Sequence, residues 1–205
     1  LLPSISATYD PITKKAVVKL DPSEMLTYVM ESFPLACATA ALSQSNVNGG
    51  GNAAMIATAL TFNSTFKIRP ETTMTVYVTQ GGLNTCRFGI YEYVTEEGED
   101  PKLTQVGTTE EYNIGGYTGK VTFNMSSGIG EKLDPRKLYY FCIIGNPGYL
   151  RNSRFMGIDQ TTISIGNVVR PCPGLKVDGN LNTFRPVNII NPVNNNCLFY
   201  CRVDY

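Results

Sequence analysis

The stretch that decides the fold runs from Thr72 to Gly145, where short apolar runs alternate with turn residues. It opens with TTMTVYVT at 72–79 and continues with CRFGIYEY at 86–93, KVTFNM at 120–125 and KLYYFCII at 137–144. Each run is rich in β-branched and aromatic residues, and turn-forming residues separate the runs, which is typical of strands. No helical periodicity of comparable length competes with this pattern. The stretch therefore predicts antiparallel β-structure.

The order of side chains within these runs predicts which faces are buried. Residues 73–79 alternate between polar and apolar types, as in a strand with one face in a core. Residues 138–144 are apolar or aromatic throughout, as expected for a central strand covered by a second sheet or by a partner chain. Gly81 and Gly82 predict a chain reversal with positive φ. We therefore expect an all-β fold, an antiparallel β-sandwich over 54–205.

The first part of the chain, 1–53, differs from the rest and is predicted to be an N-terminal arm or docking segment. Lys15 to Leu20 predicts a short strand. Asp21 to Glu24 predicts a helix start, because proline and acids suit the first turn, and 25–30 would then be one or two helical turns. Ser43 to Asn52, which contains three consecutive glycines, is either a flexible linker or an ordinary surface loop.

Composition argues against several classes of function. The 205 residues include 17 lysines and arginines, 17 aspartates and glutamates, and no histidine. Without net charge or a basic stripe, a nucleic-acid partner is not expected. No apolar run reaches the 18 residues of a membrane-spanning helix. Lack of histidine removes the usual base of a nucleophilic triad and the commonest transition-metal ligand. We therefore expect no enzymatic activity and no cofactor.

The six cysteines are expected to be reduced thiols. Cys86 and Cys142 lie in predicted strands, where a free cysteine packs as a small hydrophobic residue. Cys197 and Cys201 are too far apart along an extended segment to bridge each other, but Cys172 could pair with either. A zinc site made from these last three lacks a close CxxC pair and is disfavoured.

Five acids could supply the two carboxylates of a glycosidase, which lie about 5–10 Å apart across a cleft. They are Glu92, Glu96, Glu97, Glu99 and Asp100. All except Glu92 belong to one short polar loop, and such runs usually form a solvated tip. We therefore expect an exposed loop here. A phosphate-binding GxxxxGK loop and a calcium-binding spacing of oxygen ligands are both missing from the sequence.

The best candidate for ligand binding is the loop 146–154, because it follows a strong strand and would be presented by a rigid scaffold. Tyr149 offers a ring that can stack on a sugar. Arg151, Asn152 and Arg154 offer hydrogen-bond donors. The alternative is a connecting loop whose arginines pair with the acidic loop or with a neighbouring subunit.

Four segments follow an order that resembles the jelly-roll modules at the ends of bacteriophage tail and head fibres. They are Gly89-Ile90-Tyr91-Glu92, Pro101-Lys102-Leu103 after a charged turn, Gly115-Gly116-Tyr117, and Leu133 to Ile144. The resemblance covers residues 55–148. The same motifs occur in bacterial carbohydrate-binding and surface-anchored sandwiches.

This resemblance implies a jelly-roll β-sandwich and a non-enzymatic virion protein made in the host cytoplasm, either a fibre tip or a capsid or tail decoration. Such a protein is usually a homotrimer, contacts other virion proteins and engages the host surface, where a glycan would be the ligand. The alternative is a carbohydrate-binding or adhesin domain of a bacterial surface protein. A glycan-cleaving enzyme that uses aspartate and glutamate alone is the third hypothesis.

Overall fold

The computed structural model describes residues 5–10, 15–20, 29–33, 35, 46–48, 53–82, 85–146, 150–159, 174–179, 181, 183–195 and 197–204. Its strands are β1 (Ile5–Asp10), β2 (Lys15–Leu20), β3 (Val29–Glu31), β4 (Asn46–Asn48), β5 (Ala53–Ala59), β6 (Phe66–Lys67), β7 (Thr73–Gln80), β8 (Thr85–Val94), β9 (Lys102–Thr108), β10 (Tyr112–Asn113), β11 (Gly119–Asn124), β12 (Lys132–Leu133), β13 (Tyr139–Asn146), β14 (Arg154–Asp159), β15 (Gly174–Asp178), β16 (Asn188–Ile190), β17 (Val193–Asn194), β18 (Cys197–Phe199) and β19 (Cys201–Asp204). The all-β prediction is confirmed.

Two large antiparallel sheets form a sandwich-like body. One has eight strands in the order β16-β9-β8-β13-β5-β15-β17, with β10 also paired to β8. The other has seven strands in the order β18-β14-β7-β19-β3, with β11 paired to β7 and β4 paired to β14. Strands β1 and β2 pair with each other, and so do β6 and β12. We call the large sheets the eight-stranded sheet and the seven-stranded sheet.

The eight-stranded sheet curls until its two edges meet. Strand β16 pairs with β9 at one edge, whereas β17 pairs with β15 at the other. In the sequence, Asn191 and Pro192 alone separate β16 from β17, and so short a connection reaches at most about 11 Å. Asn191 has a φ of 53° and donates its N–H to the Pro101 carbonyl at 3.0 Å. The segment 188–194 therefore closes the sheet on itself.

The inner face of the curled sheet encloses one hydrophobic core. Its fully buried members are Met55, Ala57, Tyr91, Leu103, Tyr140, Cys142, Ile144, Leu175 and Ile189. The segment between β15 and β16 packs on this core through Leu181 and Phe184. There the Tyr91 hydroxyl donates a hydrogen bond to the Pro186 carbonyl at 3.0 Å. Tyr91 and Tyr140 are thus core residues, as their positions in apolar strands indicate.

A second core fills the space between the outer face of the curled sheet and the seven-stranded sheet. Phe141 of β13 belongs to this core, with its ring centroid 5.9 Å from that of Phe88 and 5.7 Å from that of Phe199. Phe88 and Phe141 lie in the eight-stranded sheet and Phe199 in the seven-stranded sheet, so the edge-to-face contact of Phe141 with Phe199 joins the two layers.

The predicted faces of two strands are confirmed. Met74, Val76 and Val78 of β7 are 1%, 1% and 2% exposed and point into the second core. Strand β13 is buried on both faces, because alternate residues enter the inner core and the second core. Its outer face is covered by the seven-stranded sheet, and its inner face is covered by the curl of its own sheet.

The positive φ predicted for Gly81 and Gly82 is wrong, because neither glycine has one. After these glycines the chain passes from β7 of the seven-stranded sheet to β8 of the eight-stranded sheet. Close approach of other backbone segments explains these glycines. A Cβ on Gly81 would lie 1.9 Å from the Ile114 carbonyl oxygen, and one on Gly82 would lie 1.7 Å from the Arg151 carbonyl oxygen.

The described residues in the N-terminal part of the chain form four strands, of which β3 and β4 belong to the seven-stranded sheet. The strand predicted at Lys15–Leu20 is β2 and pairs with β1. Val29–Glu31, whose first two residues were predicted to be helical, pairs with β19 in the seven-stranded sheet. Asn46–Asn48, predicted to be linker or loop, pairs with β14 in the same sheet. The predicted helix start at 21–24 and the glycines at 49–51 lie outside the described residues.

Candidate functional site

The predicted binding loop forms a tight turn at the start of β14. The Ser153 N–H donates to the Leu150 carbonyl at 3.0 Å, and Asn152 has a φ of 55°. Asparagine tolerates this left-handed conformation better than most residues. Arg151, Asn152 and Arg154 are all exposed. The turn therefore presents three polar side chains to solvent within four positions.

This turn is fixed to both sheets. The Leu150 N–H donates to the carbonyl of Ala53 at the start of β5 at 2.8 Å. Ser153 is fully buried, and its hydroxyl accepts a hydrogen bond from the Gly82 N–H at 3.2 Å. Since its ends are held by the scaffold, the turn is a rigid platform. Tyr149 lies outside the described residues, so the stacking contact expected of it stays a prediction, as does ligand binding by the loop.

A second candidate site lies on the open face of the seven-stranded sheet, where sequence reasoning had placed none. Adjacent strands β7, β11 and β19 bring together the side chains that line a groove of about 240 Å³. Its lining comprises Leu35, Thr75, Tyr77, Lys120, Thr122, Tyr200, Arg202 and Asp204. Sites that enclose drug-sized ligands are about 300–1,000 Å³. This groove, which we call the β7 groove, therefore suits one small unit of a ligand, such as a single sugar ring.

Aromatic rings form one wall of the β7 groove. The ring centroid of Tyr77 lies 5.8 Å from that of Tyr200, and Phe33 packs against Tyr200 edge-on at 5.8 Å. Tyr200 is 3% exposed, and burial, followed by the nearby charge of Glu31, raises the pKa of its phenol to about 12. Tyr200 therefore stays neutral, and half-buried Tyr77 offers the ring accessible to a ligand.

Polar side chains line the floor and far wall of the groove. The hydroxyls of Thr75 and Thr122 share a hydrogen bond of 2.9 Å across the β7–β11 pair. Arg202 donates a short hydrogen bond from Nε to the Asp204 carboxylate, which raises the pKa of Arg202. Lys120 is exposed and forms no ion pair with any side chain that the structure describes.

Charges of both signs lie at the β7 groove. Lys120, Arg202 and Asp204 line it, and Glu31 lies beside it, where its carboxylate accepts a hydrogen bond of 3.5 Å from the Tyr200 hydroxyl. A balanced set of donors and acceptors beside a ring favours a neutral, hydroxyl-rich ligand over an ion. The sequence did carry a signal for this site: Thr73, Thr75, Tyr77 and Thr79 alternate with the core residues of β7. What it could not show is that β11 and β19 flank β7.

The acids proposed as a possible catalytic pair do not converge on a cleft. Glu96 and Glu99 are exposed and both bind Lys102, at 3.3 and 3.4 Å, and these bonds, led by that to Glu96, raise the pKa of the lysine. Glu92 instead pairs with Lys137 at 2.9 Å. The loop is the solvated tip that was expected. Among the described side chains, no three histidine, cysteine or acidic residues come together to hold a metal ion.

Three cysteines are described with their side chains, and all are free and buried: Cys86, Cys142 and Cys201. Burial raises the pKa of each thiol well above its ordinary value. Such thiols are inert structural groups. The prediction of reduced, buried thiols is confirmed for Cys86 and Cys142, and Cys201 forms no bridge with Cys172. The side chains of Cys37, Cys172 and Cys197 lie outside the described part of the chain.

No protein-family model, curated protein or solved structure matches this chain. Within the described ranges, the structure has no helix with the length and hydropathy required to cross a membrane.

Proposed function

We propose that this chain is a non-enzymatic structural protein of a bacteriophage virion, a fibre tip or a capsid or tail decoration, that binds a glycan of the host surface. The open face of the seven-stranded sheet carries this proposal, because it combines a half-buried ring with hydroxyls and charges of both signs. The resemblance to fibre modules supports the location on a virion. The rigid turn with Arg151, Asn152 and Arg154 offers a second contact surface.

A homotrimer is the proposed state. Three large apolar side chains on, or directly before, the segment that closes the curled sheet are exposed to solvent: Val187 by 64%, Ile190 by 63% and Val193 by 50%. The run 187–194 contains no charged residue. Neighbouring exposed aliphatic side chains in a charge-free segment suit burial against a second copy of the chain. Sedimentation analysis at micromolar concentration tests this, and a stable monomer contradicts it.

The location is tested by immunogold electron microscopy with an antibody raised against the purified chain. Labelling of phage particles released from the strain that encodes the protein is expected. Labelling of the bacterial envelope in the absence of particles would support the alternative, an adhesin or carbohydrate-binding domain of a surface protein. The β7 groove is compatible with that alternative, because it would bind sugars in either setting.

Glycan binding is tested on an array with the wild-type chain and groove variants. Tyr77→Ala is expected to weaken binding about tenfold, equivalent to ~1.4 kcal/mol, which is near the upper end of one aromatic contact. Tyr77→Phe keeps the ring and separates stacking from hydrogen bonding. Lys120→Ala tests the far wall of the groove. Its matched control is Lys132→Ala, since Lys132 is also an exposed lysine and lies on β12. Binding that is absent in the wild type, or equal in all variants, contradicts the glycan site.

A further inference from the structure

Arg87 in β8 is the one charged residue among those described that is buried, with 8% of its surface exposed. It lies opposite Ile144 in the β8–β13 pair, and Ile144 belongs to the inner core. Directly opposite residues share a face of a sheet. The side chain of Arg87 therefore lies on the inner face of the curled sheet, close enough to Tyr91 to influence its phenol electrostatically.

The guanidinium of Arg87 fills an interruption in the sheet. Strand β9 pairs with β8 from Gly89 onward, whereas β10 pairs with β8 at Thr85 and Cys86, so neither pairs with Arg87. Its Nε donates to the Thr109 carbonyl at 3.3 Å. Its Nη2 donates to the same carbonyl at 3.2 Å and to the Thr108 hydroxyl at 2.6 Å. These bonds hold one edge of the guanidinium in place.

The second terminal nitrogen, Nη1, forms no hydrogen bond with the described residues. Arg87 keeps 8% of its surface exposed. Among described side chains, Thr79 Oγ1 and not Nη1 is the completely buried nitrogen or oxygen atom that lacks a partner. A guanidinium carries five N–H donors, and the two on Nη1 are available in a fixed direction.

No carboxylate within the described part of the chain forms an ion pair with Arg87, and its three acceptors are neutral oxygens. The acids whose side chains are not described are Asp10, Asp21, Glu24 and Asp159. Burial of a charge without a counter-ion costs several kcal/mol. An anion that meets Nη1 would remove most of this cost, and hydrogen bonds between a guanidinium and an oxyanion are among the strongest in proteins.

We propose that Arg87 binds a small oxyanion, a carboxylate or a phosphate group, through Nη1 at the end of the curled sheet. Thr108 and Thr109 hold the guanidinium so that it does not have to reorganise when the anion arrives. This site is separate from the β7 groove, which lies on the other sheet and favours neutral ligands. The proposal therefore stands whether or not the chain binds glycans.

Thermal unfolding of the full chain tests this site. Sodium chloride is replaced by sodium acetate or sodium phosphate at constant ionic strength. In the wild type, we expect a saturable rise in Tm of about 3–6 °C at ten times the dissociation constant. Arg87→Gln should abolish the rise. Arg185→Gln should retain it, because Arg185 is an exposed arginine paired with Glu111 and its loss changes the net charge by the same amount.

Each outcome has a defined meaning. A rise with acetate alone assigns a carboxylate ligand, a rise with phosphate alone assigns a phosphate group, and a rise with both supports the shared oxyanion chemistry. No rise in the wild type, or an equal rise in Arg87→Gln, overturns the proposal. If Arg87→Gln does not fold, ¹⁵N NMR of arginine side chains in the wild type replaces it. One protected guanidinium signal should then shift with acetate or phosphate, and an unchanged spectrum overturns the site.

Discussion

Replacement of Gly82 by alanine should destabilise the protein because two backbone segments meet at this glycine. A Cβ on Gly82 would lie 1.7 Å from the Arg151 carbonyl oxygen and 2.9 Å from both its carbonyl carbon and the Ser153 hydroxyl. The nearest contact is a backbone atom, so rotation of a side chain cannot relieve the clash. The turn that contains Arg151 must therefore move away from β7.

The cost of that movement has two parts. Overpacking of a tight contact costs about 1–3 kcal/mol. Displacement of the turn also breaks the hydrogen bond from the Gly82 N–H to the Ser153 hydroxyl. Loss of a hydrogen bond of this kind costs about 0.5–1.5 kcal/mol. Together they predict a destabilisation of about 2–4 kcal/mol, which for a chain of this size lowers Tm by roughly 4–16 °C.

Urea unfolding followed by far-ultraviolet circular dichroism measures this loss as a change in the midpoint at constant m. Gly98 provides the matched control, because its φ is 80° and nothing lies within 4 Å of a Cβ placed there. Gly98→Ala should cost about 1–2 kcal/mol through backbone strain alone, and Gly98→Asn less, since asparagine tolerates this conformation. At Gly82, by contrast, asparagine should destabilise the protein at least as much as alanine does. A cost below 1 kcal/mol for both Gly82 variants refutes the close-approach explanation.

Three further predictions concern the core and the titrating groups. Phe141→Ala, at the contact between the sheets, should lower the free energy of unfolding by about 3–5 kcal/mol in the same assay. Tyr200 should ionise near pH 12 in the folded protein and near pH 10 in the unfolded chain. Its contribution to stability is therefore lost as pH rises from 10 through 12. Ultraviolet difference titration of the wild type and of Tyr200→Phe measures the pH at which this phenol ionises. Hydrogen bonding to Arg136 lowers the pKa of Asp134 to about 2 from 3.8. Its contribution to the stability of the fold is therefore present above pH 3.8 and lost as pH falls through 2. In ¹³C NMR of the carboxyl, the titration midpoint should lie near 2 in the wild type and return toward 3.8 in Arg136→Gln.

The alternation of polar and apolar residues predicted the strands well, because it depends on which faces of a strand are buried and involves only residues close together in the chain. The alternation in 73–79 required one buried face, and β7 has it. The continuous apolar run 138–144 required two covered faces, and β13 has both. The sequence could not tell what covers the inner face, because that depends on the closure of the sheet by 188–194, more than 40 positions further along the chain.

Non-local contacts also explain what sequence reasoning missed. The two glycines after β7 suggested a reversal, since glycine is most often needed for unusual backbone angles. Here the need comes from Ile114 and Arg151, which approach from other parts of the fold. The β7 groove could not be predicted from the sequence for a similar reason. Tyr77, Thr122 and Arg202 become neighbours through strand pairing across more than 120 positions, and pairing partners of this kind leave no mark in a local pattern.

The two cores also restrict where the protein can bind a partner. The eight-stranded sheet uses its inner face for one core and its outer face for the other, so the central part of that sheet has no face left for a ligand. The seven-stranded sheet buries one face, whereas its other face is exposed at β11 and partly exposed at β7 and β19. Contacts made by the described part of the body must therefore use this open face, the loops, the sheet ends or the segment 188–194 that closes the curled sheet. The β7 groove, the Arg151 turn and Arg87 occupy the first three kinds of position, so variants at each can be tested without removing a residue from the centre of either core.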